Sequence, residues 1–208
     1  MKQNELLSPV LAGTMATALP VAVRGSESVG GLIAGIKSRD DKIRGPAWQG
    51  AAGAGALAVK PLADAMMDHD FEIARSAKRA LYRIVRHAGR PGAKKEAQAV
   101  TGELIQLLGS VHALVRREAA WMLSEIAADE AVKPLAALLS DLEAREDVRC
   151  ALMRFTSRKA TSAFKTAFAS APEDFKPALA ETLRARGIQV SGYPSQKAVP
   201  SRKTTVGV

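Results

Sequence analysis

Only one cysteine, Cys150, occurs in the 208 residues, so no intrachain disulfide can form. Its setting in Val148-Arg-Cys-Ala-Leu152 reads as a buried helix position rather than a nucleophile. Histidine is scarce too: His69, His87 and His112 are scattered at turns or helix ends, without the clustering of a metal site or a Cys/His pairing for catalysis. Aromatic residues make up 4% of the chain. Helices so poor in bulky anchors must approach one another through small side chains, and Trp48 and Trp121 are expected to fill core or interface rather than to stack on a base or wall a ligand site. No segment alternates with the period of a strand. Leu6 to Val23 is almost uncharged, but Pro9 and Pro20 interrupt it, which argues against a membrane-spanning helix.

What the chain does have is repetition. An apolar residue, usually followed by a basic one, is answered four and eight positions later by small or apolar residues. The series runs Ile43/Ala47/Ala51, Ile73/Ala77/Leu81, Val115/Ala119/Leu123, Val148/Leu152/Thr156 and Phe175/Leu179/Leu183. Arg44, Arg116, Arg149 and Lys176 fill the second slot, and Ala74 departs from it. Successive registers lie 30, 42, 33 and 27 residues apart, the self-similarity of a stacked helical array. Ala58-Val59-Lys60-Pro61-Leu62-Ala63 also recurs letter for letter as Ala131 to Ala136, 73 residues later. Each proline falls in a predicted first turn, where its missing N–H costs nothing.

Breakers and periodicity together predict ten helices in five antiparallel pairs. The first helices cover Val29 to Ser38, Leu57 to Asp68, Lys94 to Gly109, Glu130 to Ser140 and Lys159 to Ser170. The second helices cover Asp41 to Ala56, Phe71 to Ala88, Val111 to Ala128, Arg145 to Thr156 and Glu173 to Arg186. Gly89-Arg90-Pro91-Gly92 accounts for the longest interval, and the glycines around Pro46 predict a kinked capping unit in the first pair. The expected organisation is an N-terminal arm over 1–27, a right-handed all-α solenoid over 28–188 and a flexible basic tail over 189–208.

The stretches Ala131-Val-Lys-Pro-Leu-Ala-Ala-Leu-Leu-Ser-Asp141 and Val115-Arg-Arg-Glu-Ala-Ala-Trp-Met-Leu123 resemble the two helices of a HEAT repeat, in particular the short alanine-rich repeats also found in phycobilin lyases. The resemblance covers about residues 28 to 187 and implies an α-solenoid of about five HEAT-like helix pairs. It is specific for the fold and nearly silent about activity, because function lives in sites grafted onto such frames. No His-Glu pair of the kind carried by iron-dependent HEAT-repeat hydroxylases is present, so that activity is not implied. No catalytic residue, cofactor site or small-molecule substrate is expected.

The functional expectation rests on charge. Formal net charge is +9. Arg75, Lys78, Arg79, Arg83, Arg86, Arg90, Lys94 and Lys95 follow one another with no Asp or Glu between the first and the last. At about 100° per residue, Arg75, Lys78, Arg79, Arg83 and Arg86 share one arc of a helix whose opposite arc is apolar. The HEAT resemblance places that face in the concave groove, where Arg117 extends it. Arg44, Arg116 and Arg149 are expected instead to pair with turn acids such as Asp41, Asp70 or Asp147. Like charges three and four apart repel, and a surface that tolerates this points to an anionic partner. The leading expectation is a non-catalytic scaffold that docks a protein with an acidic surface or segment. A nucleic-acid phosphate binder, similar in its basic face to HEAT-like alkylpurine DNA glycosylases, is the alternative, and a phycobilin-lyase-like helper enzyme is the second. The compartment is read as cytoplasmic, with export as the alternative if residues 6–23 act as a leader.

Overall fold

A computed structural model of the chain describes residues 27–195. The leader reading, the arm before 27 and the tail beyond 195 lie outside the described residues. Within them stand ten α-helices and no strand. They are α1 Glu27–Ile36, α2 Asp41–Gln49, α3 Val59–Ala65, α4 Phe71–Ala88, α5 Lys94–Leu107, α6 Ala113–Ile126, α7 Val132–Ala137, α8 Arg145–Met153, α9 Arg158–Ser170 and α10 Lys176–Ala185. Consecutive helices pair, from α1 with α2 to α9 with α10, and the pairs stack. Helices α2, α4, α6 and α8 follow one another along one side, while α3 meets α5 and α7 meets α9 along the other. The protein is an all-α solenoid.

Helix α4 shows how directly the pattern acts. The Asp70 carboxylate accepts the N–H groups of Glu72 and Ile73 at 2.8 and 3.4 Å, which caps the start. Ile73, Ala77, Ala80, Leu81, Ile84, Val85 and Ala88 are buried along one stripe, and the Gly89 N–H closes the end on the Val85 carbonyl. The turn that follows needs a left-handed backbone at Gly92, with φ of 84°.

The repeated hexapeptide folds alike in both places. A 3-10 turn, Ala56–Ala58 or Asp129–Ala131, leads into α3 or α7, and Leu62 and Leu135 are fully buried. Both helices start later than the apolar run predicts. Pro61 and Pro134 have no N–H for the carbonyl four residues back, so the preceding turn tightens to 3-10 geometry. The α7 run also ends in a 3-10 turn, Leu138–Ser140. In the first pair α2 stops at Gln49, beyond Pro46, and continues only as the 3-10 turn Ala51–Ala54.

The interior is one continuous seam of small and aliphatic side chains. Ala58, Ala77, Ala80, Ala119, Ala120, Ala131, Ala151 and Ala160 are fully enclosed between repeats, with Leu81, Leu104, Leu123, Leu152 and Phe164 beside them. Two registers differ from expectation. Ile43 is 53% exposed and the neighbouring Arg44 takes the inward slot, because its guanidinium donates to the Ser38 carbonyl at 2.6 Å and to the Asp41 carboxylate. Thr156 is exposed and Phe155 is buried in its place, since α8 ends at Met153 and the register shifts by one. Cys150 is half-buried rather than enclosed.

The second-slot arginines tie repeats together. Arg116 donates to the Ser110 carbonyl at 2.8 Å, as Arg44 does to Ser38, and also to Asp141 at 2.7 Å and Glu143 at 3.2 Å from the next repeat. Arg149 pairs with Glu146 at 2.8 Å and donates to Thr182 Oγ1 at 2.9 Å. Only Asp41 among the expected turn acids is used; Asp141, Glu143 and Glu146 replace the others. Burial alone would raise Asp141, but the Arg116 hydrogen bond, those from the Glu143 and Ala144 N–H groups and the Arg116 charge outweigh it, and its pKa lies below the usual value.

At the far end, Arg186 donates to the carbonyls of Leu152 at 3.0 Å and Phe155 at 2.7 Å and lies over the Phe164 ring. Burial pushes its pKa down. Residues 189–195, expected to begin the tail, include Val190, which packs on the core, and Tyr193, which meets the last pair. Arg184 donates to the carbonyls of Gly192 at 2.7 Å and Tyr193 at 2.8 Å, while the Tyr193 hydroxyl donates to Glu173 at 2.7 Å and its ring meets Phe168 edge-on.

A methyl group on Gly35 would stand 2.7 Å from the Ala47 Cβ, so Gly35→Ala should lower the urea midpoint: overpacking of about 1–3 kcal/mol exceeds a helix-propensity gain of about 1 kcal/mol. Asp141 has a depressed folded pKa, so its contribution is present above about pH 4 and is lost as pH falls through the lower folded value. Asp141→Asn should cost about 1 kcal/mol at neutral pH, and chemical denaturation across the acid range should show a shallower loss below pH 4 than in the parent chain.

Candidate functional site

The second helices α2, α4 and α6 line a groove of about 830 Å³. Its walls carry five basic residues, Arg75, Lys78, Arg79, Arg83 and Arg86, against one carboxylate, Glu118. Trp48, Phe71, Tyr82, Met66, Ala74 and Leu114 supply the apolar surface. Phe71 is 70% exposed, an unusual position for a phenylalanine beside a cluster of guanidinium groups.

Sequence spacing puts the five cations on one face, and they do line one groove. Their neighbours, however, are not those of a bare positive stripe. Lys78 pairs with Glu118 of α6, and Arg86 pairs with Glu125 of α6 at 3.2 Å. Arg75 pairs with Glu72 at 2.7 Å. Aromatic faces take up the rest: Arg75 lies 5.6 Å from the Phe71 centroid, Arg86 lies 5.3 Å from Tyr82, and both Arg79 and Arg83 lie over Trp48 at 5.1 and 5.7 Å. The mutual repulsion of the run is therefore met by carboxylates from outside it and by ring quadrupoles. The Glu125 hydrogen bond, with its charge, raises the Arg86 pKa.

Glu118 holds the floor together. It is only 8% exposed, receives Lys78 Nζ, and accepts the Tyr82 hydroxyl at 3.0 Å. Burial, then the Glu118 charge and hydrogen bond, push the Tyr82 phenol well above its ordinary pKa, so it stays a donor.

Two predicted members stand apart from the groove. Arg90 sits in the turn after α4, bonded to both oxygens of Glu96 at 2.7 and 2.8 Å and to the His87 carbonyl. Arg117 stands on α6 between the groove residues Leu114 and Glu118 but is set toward α8, 4.0 Å from Asp147, with its buried Nε donating to no acceptor among the described residues. Trp121 is half-buried there and donates to Asp147 at 2.8 Å. The spacing of basic residues along α4 does not mark Trp48, Phe71, Tyr82 or Glu118 as members of the groove. Trp48 is half-buried, part filler and part wall, and only its spacing onto the same side as α4 could have marked it. A second groove, of about 740 Å³, runs between α7 and α9 and is lined mainly by alanine, serine and aliphatic residues.

Among the described residues no helix is long and apolar enough to cross a membrane. No group of three or more His, Cys, Asp or Glu there could hold a metal ion.

No protein-family model and no curated protein matches the chain. Solved structures similar to it include an engineered protein from a structural genomics consortium, with 22% identity over 76% of this chain and 79% of that one and a TM-score of 0.39. A second is a computationally designed armadillo repeat protein for modular peptide recognition, with 18% identity, coverage of 74% and 80% and a TM-score of 0.42. A third is a designed armadillo repeat protein in complex with the peptide (KR)4, with 20% identity, coverage of 78% and 88% and a TM-score of 0.39. Likeness of this degree carries nothing about function, and the description of the chain as an α-helical repeat array rests on the stacking of α1–α10.

Glu118→Gln should cost about 1–2 kcal/mol of stability, because Lys78 and Tyr82 lose a charged acceptor. It should also let Tyr82 ionise at lower pH, while Tyr193, bonded to Glu173, is unmoved. Ultraviolet titration of the two phenols tests this, and an unchanged Tyr82 would show that Glu118 does not set its ionisation.

Proposed function

We propose that the protein is a HEAT-like, non-catalytic scaffold that docks a segment of another protein in the groove across α2, α4 and α6. The observation that carries this reading is the groove's mixed wall: exposed Phe71, with Trp48, Met66 and Leu114, beside five cations and one carboxylate. Apolar surface of this kind takes side chains, and the excess positive charge selects an acidic segment over a basic one. A phosphate-backbone binder draws on unengaged cations spaced along a face. On α4, Arg75, Lys78 and Arg86 already have carboxylates, which favours a protein segment over nucleic acid.

Fluorescence anisotropy with a labelled peptide of alternating leucine and aspartate, and with labelled duplex DNA, at about 50 and 200 mM salt separates the readings. The scaffold reading expects the peptide to remain bound at the higher salt and to lose affinity at least about tenfold in Phe71→Ala. Binding of the duplex with a steep loss at the higher salt, and no binding of the peptide, would transfer the function to nucleic acid.

A further inference from the structure

Charged pairs between neighbouring second helices and their leading turns run one way along the array. A cation from the earlier repeat meets a carboxylate from the later one: Lys78 with Glu118, Arg86 with Glu125, Arg116 with Asp141, Arg117 with Asp147 and Arg145 with Asp174. The α2–α4 seam breaks this rule. There two cations of the later helix, Arg79 and Arg83, turn back onto the single ring of Trp48 in the earlier one. The two acids of these helices that lie nearest in sequence, Asp41 and Glu72, are held by Arg44 and Arg75. Among the described residues no carboxylate pairs with Arg79 or Arg83. Arg83 spends its Nε on the Gln49 carbonyl at 2.8 Å, which fixes its plane and leaves its terminal nitrogens for another acceptor.

Resting on the groove reading above, we infer that Arg79 and Arg83, braced on Trp48, form a clamp for one carboxylate side chain of the docked segment, which supplies from outside the acid that every later seam supplies from within. The chemistry suits the task. Stacking on an indole holds a guanidinium flat and partly desolvated, so its N–H edge is set for two-point contact with a carboxylate before the ligand arrives. One carboxylate shared by two guanidinium groups also relieves the repulsion between charges four residues apart on a helix. Exposed Phe71, one turn before Arg75, offers the next contact to an apolar neighbour in the same segment.

The test uses the full chain, labelled with nitrogen-15 and titrated with three short peptides that are identical except at one position, which holds aspartate, asparagine or phosphoserine between leucines. The clamp predicts saturable shifts of the Arg79 and Arg83 Nε–H and Trp48 indole N–H resonances with the aspartate peptide, and about tenfold weaker binding of the asparagine peptide. Arg79→Gln and Arg83→Gln should each narrow the difference between the aspartate and asparagine peptides to within about twofold, whereas Lys133→Gln, an exposed position outside this groove, should leave it intact. Equal affinity for aspartate and asparagine would overturn the clamp and leave the docking groove standing. A response to phosphoserine alone would overturn the carboxylate assignment in favour of a phosphate. If no peptide moves any groove resonance, the groove reading falls, and the clamp with it.

Discussion

Every helix pair here has an apolar face that it cannot cover alone, and the architecture is the solution to that single constraint. Burial of apolar surface is worth roughly 25 cal/mol per Å², but only if a neighbour closes over it. Alanines such as Ala77, Ala119, Ala131 and Ala151 let backbones approach closely enough to close the seam without aromatic anchors. The same closeness makes the fold sensitive to single methyl groups where helices touch, as at Gly35 against Ala47. Stability is then nearly a sum of local repeat and interface terms, and the surfaces facing away from the seam are released for other work.

Electrostatics is laid over this frame rather than supporting it. Most of the ion pairs have at least one exposed partner and contribute little individually. Their shared direction matters more. Because cations of one second helix meet acids of the next, the later repeats are internally neutralised across their seams, while the first seam has guanidinium groups on an aromatic ring. Among the described residues, Arg79 and Arg83 at that first seam have no carboxylate partner.

Local rules explain what could be read in advance. Helix α4 has an Asp cap, a clean amphipathic stripe and a glycine stop, and its ends, Phe71 and Ala88, coincide with expectation. The ten helices and the pairing order are legible for the same reason. Where glycine, proline and alanine compete, as in α2 and α3, boundaries moved, because 3-10 and α geometry differ by less than sequence pattern resolves. Ile43 and Arg44 exchanged places since a buried guanidinium with a carbonyl and a carboxylate beside it can compete with an aliphatic side chain. For the groove, spacing along one helix placed five cations on one face. It could not show Glu118 and Glu125 arriving from 40 and 39 residues away, nor Trp48 lying under Arg79 and Arg83, because those contacts exist only after stacking.

The identical hexapeptides at 58–63 and 131–136 have a consequence for how the chain reaches this state. They fold into the same 3-10 turn and helix start, so a half-formed array with α4 exposed faces two candidate partners for its apolar stripe. Residues flanking the copies differ, but the copies themselves give no basis for choice. Chain connectivity does: closing the short link from α3 to α4 costs roughly 2 kcal/mol less in entropy than closing the long one back from α7. Polymer statistics, rather than side-chain chemistry, keep the duplicated segments in their own places, and lengthening the loop between α3 and α4 would weaken that protection.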